Sequence, residues 1–175
     1  MILAIDTSTQ WIGLALFDGA QILYSKVWRT SRRHTVELVP AIQTALAESG
    51  VELAALKAIA VALGPGSFTS LRIGLAVAKG IALAQRVPLI GVPSLAITAN
   101  GIPLANHPLL AVLKAGRGRL AVQCYLPGDG HWEADGDIFI TSADELEEMI
   151  TSPTIIAGEI TQEDRRVLER RWRNA

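Results

Sequence analysis

Residues 57–74 constrain the fold more than any other part of the chain. The stretch KAIAVAL is almost continuously apolar, and it is followed by the glycine-rich GPGS and then by a second apolar stretch. A short unbroken apolar run is typical of a strand buried on both faces of a sheet. The second stretch is longer than an ordinary strand, so Ser70–Gln85 is predicted to be a helix. A buried strand that leads directly into a helix indicates an α/β fold.

The loop between the strand and the helix, Gly64–Gly66, has two interpretations. Glycine enters positive φ freely and Pro65 presets its own φ, so the loop can form a simple tight turn. Alternatively, its backbone N–H groups and the hydroxyls of Ser67 and Thr69 could bind an anion at the start of the helix. Short glycine motifs match by chance, and this favours the turn.

Three strands and a helix are predicted ahead of this unit. Short apolar runs at Ile2–Ile5, Trp11–Phe17 and Gln21–Trp28 predict an antiparallel meander. The segment that starts at His34 has apolar residues at helical spacing and ends at Gly50. A meander followed by a helix and a parallel strand is the opening of the ribonuclease-H-like fold that actin, sugar kinases and Hsp70 share. We therefore predict a complete first lobe over residues 1–106.

A shortened second lobe is predicted over residues 107–175. Its sequence suggests a hairpin that turns at Gly116–Gly118, a further strand in HWEADGDIFI and a short buried strand in PTIIAG. Ser142 is followed three residues later by Glu145, which is the pattern of a helix capping box, and Thr161 is placed to cap a final charged helix.

Composition limits the possible environments and partners. The 16 basic and 17 acidic side chains give no overall field that would hold a polyanion. No apolar stretch reaches the ~20 residues that a membrane-spanning helix needs, and the N-terminus resembles a strand more than a signal peptide. The single cysteine, Cys124, forms no internal disulfide, which agrees with a reducing compartment. We expect a cytoplasmic protein with no membrane contact.

Three motifs together resemble the TsaB (YeaZ) family. They are ILAIDTST, RRHTVELVPAI and GPGSFTSLRIGLAVAKGIALAQRVPLIGV, and their joint occurrence in this order is far more specific than any one of them. The resemblance implies two lobes of the actin–Hsp70 (ASKHA) type. It also implies a non-catalytic scaffold subunit that binds and activates the TsaD enzyme in threonylcarbamoyladenosine modification of tRNA. TsaE and tRNA would then be met only through that complex, although the arginine-rich C-terminus offers a minor alternative contact for tRNA.

TsaD itself is the first competing interpretation. That enzyme carries two metal-binding histidines four residues apart on a helix, and the equivalent positions here are Ser94 and Thr98. The three histidines, His34, His107 and His131, are far apart in the sequence and have no partner at ligand spacing. We therefore expect no metal site.

An ATP phosphotransferase of the sugar-kinase type is the second competing interpretation. In it, Asp6 would hold hydrated magnesium while Thr7 and Ser8 contact phosphate. The second phosphate loop, where family members commonly place an acidic residue, has Lys114 instead. Asp6 has the equally plausible role of closing an Asx turn at the end of a strand. We expect no required cofactor, and weak ATP or ADP binding at a vestigial loop stays open.

The helix after the glycine loop is apolar nearly all round, and one sheet covers only one side of a helix. Its small residues would let another helix approach closely. The alternatives are burial under the chain's own helices or under a partner, and the short second lobe favours a partner. We predict an interface with TsaD, used for a homodimer when the chain is alone, that contains His34, Val36, Leu38, Val39, Ile42, Phe68, Leu71, Ile73, Gly74, Val77, Ala78 and Ile81.

Overall fold

The first sheet is built on the predicted buried strand. In the computed structural model, which describes residues 1–30 and 34–170, this sheet has five strands in the order β3-β2-β1-β4-β5. Its strands are β1 (Ile2–Asp6), β2 (Trp11–Phe17), β3 (Ile22–Arg29), β4 (Ala58–Gly64) and β5 (Leu89–Pro93). β1 pairs antiparallel with β2 and parallel with β4, which confirms the predicted meander and its parallel neighbour.

Two long helices cover one face of this sheet. They are α1 (His34–Glu48) and α2 (Phe68–Gln85), and a 3₁₀ turn at Leu53–Ala55 precedes β4. Both helices contribute to one buried apolar cluster with alternate residues of the central strands, including Leu3, Leu14 and Ile59. The period-2 alternation of β1 and β2 therefore decides which face of the sheet the helices occupy.

The second sheet follows the same plan with four strands, in the order β8-β7-β6-β9. The strands are β6 (Leu109–Gly116), β7 (Arg119–Pro127), β8 (Trp132–Thr141) and β9 (Ile155–Gly158), and the helices are α3 (Ser94–Asn100), α4 (Ala143–Met149) and α5 (Gln162–Leu168). β6 and β7 form the predicted hairpin, and β9 pairs parallel with β6.

The two short helices α4 and α5 begin with capping boxes, as the sequence predicts. Ser142 accepts a hydrogen bond from the Glu145 N–H while the Glu145 carboxylate accepts one from the Ser142 N–H, and Thr161 and Asp164 do the same for α5. The hydrogen bond from the Ser142 backbone is the main reason that the pKa of Glu145 is lowered below its ordinary value. The caps satisfy backbone donors that a helix start leaves unpaired.

The chain divides into two compact units, Met1–Ser94 and Leu95–Ala175, so the first unit ends at Ser94 rather than at residue 106. The reason is the packing of α3: Leu95 and Ala99 are buried in a cluster with β6 residues such as Leu109 and Ala111. The segment between α3 and β6 therefore belongs with the second sheet. Over the described residues, the helices are too short or too polar to cross a membrane.

Candidate functional site

The glycine loop forms a tight turn that is held against the loop after β1. Gly64 has a φ of 111°, a conformation that favours glycine, and the bond from Gly64 to Pro65 is cis. The Ser67 N–H donates to the Ser8 carbonyl oxygen over 2.7 Å. A Cβ on Gly66 would collide with that same carbonyl group. The second glycine is therefore required by close backbone approach.

Thr7 ties the same loop to the first turn of α2. Its hydroxyl donates to the Ser70 carbonyl oxygen over 2.8 Å, and the residue has 0% exposure. One turn further along α2, a Cβ on Gly74 would collide with the Thr7 side chain. The Ser67 and Ser70 hydroxyls are 2.9 Å apart. We call this set of contacts the glycine-loop clasp; it consists of Thr7, Ser8, Gly66, Ser67, Ser70 and Gly74.

The structure uses the predicted phosphate-loop residues for internal contacts. Asp6 Oδ1 accepts a hydrogen bond from the Ser8 N–H over 2.8 Å, which is the Asx-turn arrangement. Thr7 and Ser8 are both buried, and the Thr7 hydroxyl proton is already directed at Ser70. The loop therefore serves the packing of the first unit.

Ser94, one of the two positions that were compared with metal ligands in the sequence, also supports the glycine loop. Its buried hydroxyl accepts a hydrogen bond from the Gly64 N–H over 3.1 Å. Within residues 1–30 and 34–170, no group of three or more His, Cys, Asp and Glu side chains is arranged to hold a metal ion.

The remaining candidate residues are dispersed. His34 is buried at the start of α1, with Nε2 3.3 Å from the Thr9 carbonyl oxygen. His131 is exposed, with Nε2 3.7 Å from a carboxylate oxygen of Glu133. Lys114 is half-buried near the end of β6, in register with Leu120 of β7. The arginine-rich C-terminus, DRRVLERRWRNA, is described as far as residue 170, where Arg165 pairs with Glu169 and Arg170 with Asp144; residues 171–175 lie outside the described residues.

Five of the predicted interface residues are buried within the first unit and provide no exposed surface. The small residues of α2 face the chain's own sheet, because the absence of a large side chain lets the helix approach it closely. This corrects the prediction that the small residues of α2 receive a helix of a partner. The predicted interface residues on the core face of α1 are likewise buried inside the unit. The buried residues are His34, Leu38, Ile42, Gly74 and Ala78.

Four further predicted interface residues, all on α2, are half-buried. Three of them, Ile73, Val77 and Ile81, pack against the core cluster, while Leu71 lies beside Gly64. A charge at one of these positions would disturb the core as well as any interface. They are Leu71, Ile73, Val77 and Ile81.

Three predicted residues and one that the prediction missed are exposed apolar side chains. Val36 and Val39 on α1 are 63% and 44% exposed, and Phe68 and Leu83 on α2 are 67% and 79% exposed. Arg72 stacks on the Phe68 ring with its guanidinium carbon 3.8 Å from the ring centroid. We call these five residues the two-helix face.

Leu83 could have been identified from the sequence. It follows Arg72 by three helical turns, on the same line that Arg72 and Lys79 mark as exposed to solvent. A large apolar residue on a line of otherwise polar positions is the signal of an exposed hydrophobic side chain.

The sequence of the chain is similar to proteins of threonylcarbamoyladenosine synthesis. The family model for TsaD, tRNA N6-adenosine threonylcarbamoyltransferase, matches residues 28–161. The tRNA threonylcarbamoyladenosine biosynthesis protein TsaB of Escherichia coli is 42% identical over 101 residues, which are 57% of this chain and 43% of that protein. The tRNA N6-adenosine threonylcarbamoyltransferase of Latilactobacillus sakei is 31% identical over 169 residues, covering 86% of this chain and 48% of the enzyme. The chain thus spans about half the length of these relatives.

A solved structure, YeaZ from Pseudomonas aeruginosa, superposes with a TM-score of 0.78 at 29% identity and covers 90% of this chain and 75% of that one. Its likeness and the two mixed sheets define the class of protein as an actin-like α/β fold of the ASKHA type. Within that class, the match to the TsaD family model, residues 28–161, includes the glycine loop of this chain. The chain belongs to the TsaB (YeaZ) family.

Proposed function

We propose that this chain is a non-catalytic subunit that binds and activates TsaD in the synthesis of threonylcarbamoyladenosine on tRNA. The observation that supports this most is the two-helix face. It places large exposed apolar side chains on two adjacent helices, and an aromatic ring stacked with arginine is typical of the residues that dominate binding at interfaces. The two helices contact each other, and exposed apolar side chains on neighbouring elements are candidates for an interaction site.

The choice of TsaD as the partner is supported by the relatives. The chain resembles both TsaB proteins and threonylcarbamoyltransferases, so the two types share a fold. A surface that pairs with a related fold can also pair with its own copy, because a two-fold contact uses the same patch on both subunits. The proposal therefore includes a homodimer of the isolated chain through the two-helix face, which TsaD displaces.

The absence of catalysis is supported by the internal use of the polar groups around β1. Asp6 closes an Asx turn, the Thr7 hydroxyl is bound to Ser70, and Ser94 holds Gly64. The proposal requires no cofactor, and weak ATP or ADP binding without turnover agrees with it. Contact with TsaE and tRNA occurs through the complex, in a cytoplasmic setting.

The experiment is a titration of the purified chain with TsaD from the same organism, followed by calorimetry and light scattering. A 1:1 complex is expected, and Phe68→Ala is expected to weaken it by roughly 30-fold or more, since truncating a central aromatic residue costs about 2 kcal/mol or more. Met149→Ala is the matched control, because Met149 is also an exposed apolar side chain but lies in the second unit. An unmodified chain that stays monomeric and does not bind TsaD would refute the proposal.

A further inference from the structure

We infer that Thr7 is a positioning residue for the two-helix face: its buried hydroxyl fixes the first turn of α2 and thereby places Phe68 and Arg72 for docking. The inference rests on the function proposed above, because the docking partner is TsaD. It gives the loop after β1 a role different from the phosphate contact that the sequence suggests. The argument depends on how α2 begins.

Helix α2 starts without the usual side-chain cap. Ser67 occupies the N-cap position, yet its side chain makes no cap hydrogen bond, and its hydroxyl lies 2.9 Å from that of Ser70 instead. A helix start that lacks a cap is more prone to fraying than one that has a capping residue. In the second unit, by contrast, α4 and α5 have complete capping boxes at Ser142 and Thr161. Because α2 lacks such a cap, its start is held in another way.

The glycine-loop clasp holds it. The Ser8 carbonyl oxygen accepts the Ser67 N–H where the chain enters the helix, and the Thr7 hydroxyl donates to the Ser70 carbonyl oxygen three residues later. The Thr7 side chain also lies so close to Gly74 that a methyl group there would collide with it. Thr7 therefore contacts two successive turns of the helix and limits both sliding and tilting of its first turn.

The docking pair lies on the turn that Thr7 holds. Phe68 is two residues before Ser70 and Arg72 is two residues after it. Phe68 is mostly exposed, and its ring is covered on one side by the Arg72 guanidinium. The backbone of this turn consequently sets the position of the pair. A surface that is already in its bound arrangement binds more tightly, because less ordering is needed on association.

The test compares Thr7→Val, which removes the hydroxyl and keeps the shape, with Thr7→Ser, which keeps the hydroxyl. We expect Thr7→Val to raise the Kd for TsaD about tenfold and Thr7→Ser to leave it within about twofold of the unmodified chain, because only the first removes the donor. In a Phe68→Ala background, Thr7→Val should add less than about a twofold loss, since coupled residues are not additive. Amide hydrogen exchange at residues 71–74, whose N–H groups make the first hydrogen bonds of α2, should become faster in Thr7→Val.

Ser142→Ala controls for a general loss of stability, because it removes a cap in the second unit and should change neither the Kd nor the exchange of residues 71–74. Equal losses from Thr7→Val in both backgrounds, or unchanged affinity and unchanged exchange, would overturn the inference. If Thr7→Val does not fold, Thr7→Ala is measured by the same criteria. Failure of the unmodified chain to bind TsaD would instead refute the proposed function, and the exchange measurement would still decide whether Thr7 holds the turn.

Discussion

The two units of the chain share one strand plan and differ in how their helices are secured. In each unit the first strand pairs antiparallel with the second and parallel with the fourth: β1 with β2 and β4, and β6 with β7 and β9. The helices that follow the third and fourth strands have 15 and 18 residues in the first unit and 7 residues each in the second. The same sheet thus supports long helices in one unit and short ones in the other.

The two units also differ in the connection between their first and second strands. In the first unit this loop carries Thr7 and Ser8 and holds the start of α2. In the second unit the equivalent connection is a tight turn, with positive φ at Gly116, Arg117 and Gly118. Contacts with a distant loop hold the start of α2, whereas local caps hold the starts of α4 and α5. The contrast agrees with the rule that most helical stability in proteins comes from packing.

The largest expected effect tests the close approach of α2 to the β1 loop. Gly74→Ala should lower the free energy of unfolding by about 1–3 kcal/mol, because its methyl group would collide with Thr7 and force the clasp apart. Gly80 lies on the same helix with nothing within 4 Å of the added atom, so Gly80→Ala should stabilise by about 0.5–1 kcal/mol. Urea denaturation measures both.

Equal effects at the two glycines would show that α2 is not held closely at Gly74. If both variants were more stable than the unmodified chain, α2 would behave as an ordinary helix in which any glycine is unfavourable. The claim that the β1 loop holds the start of α2 would then be contradicted.

A smaller effect is expected at the caps of the second unit. Ser142→Ala should lower the free energy of unfolding by about 1 kcal/mol, because the α4 N-terminus loses the acceptor for the Glu145 N–H. Ser152→Ala, at an exposed position outside any helix of the same unit, should change it by less than about 0.5 kcal/mol. Denaturation curves for the two variants that coincide would mean that the cap contributes nothing.

Local patterns in the sequence were sufficient to predict most of the elements. β2 has the predicted bounds, Trp11–Phe17, because alternation and the adjacent turn define it, and both caps were identified from their spacing. α2 begins at Phe68 instead of Ser70. Its start depends on contacts with a loop 60 residues earlier in the chain, and such contacts leave no local pattern.

The orientation of α2 could not be predicted for a related reason. A helix with apolar residues on nearly every side has no preferred core face in its sequence, so the small residues Gly74 and Ala78 could equally have faced a partner. The structure shows that they face the sheet, and that Phe68 and Leu83 are the exposed apolar residues. The glycine-loop clasp could not be predicted from the sequence either, because the hydroxyl of Thr7 can donate to a phosphate as well as to a carbonyl oxygen.

The most direct test of the central claim compares two valines on opposite sides of the first sheet. Val36, on the two-helix face, is 63% exposed; Val27, on β3 in register with Gly13 and away from the helices, is 66% exposed. Because both are exposed, Val36→Lys and Val27→Lys should both fold, and the Kd for TsaD is measured for each. The account predicts that Val36→Lys weakens binding by about 30-fold or more while Val27→Lys changes it by less than about twofold, since only the first leaves a charge buried at the interface. Equal weakening by the two variants, or a larger loss with Val27→Lys, would contradict the claim that the two-helix face binds TsaD.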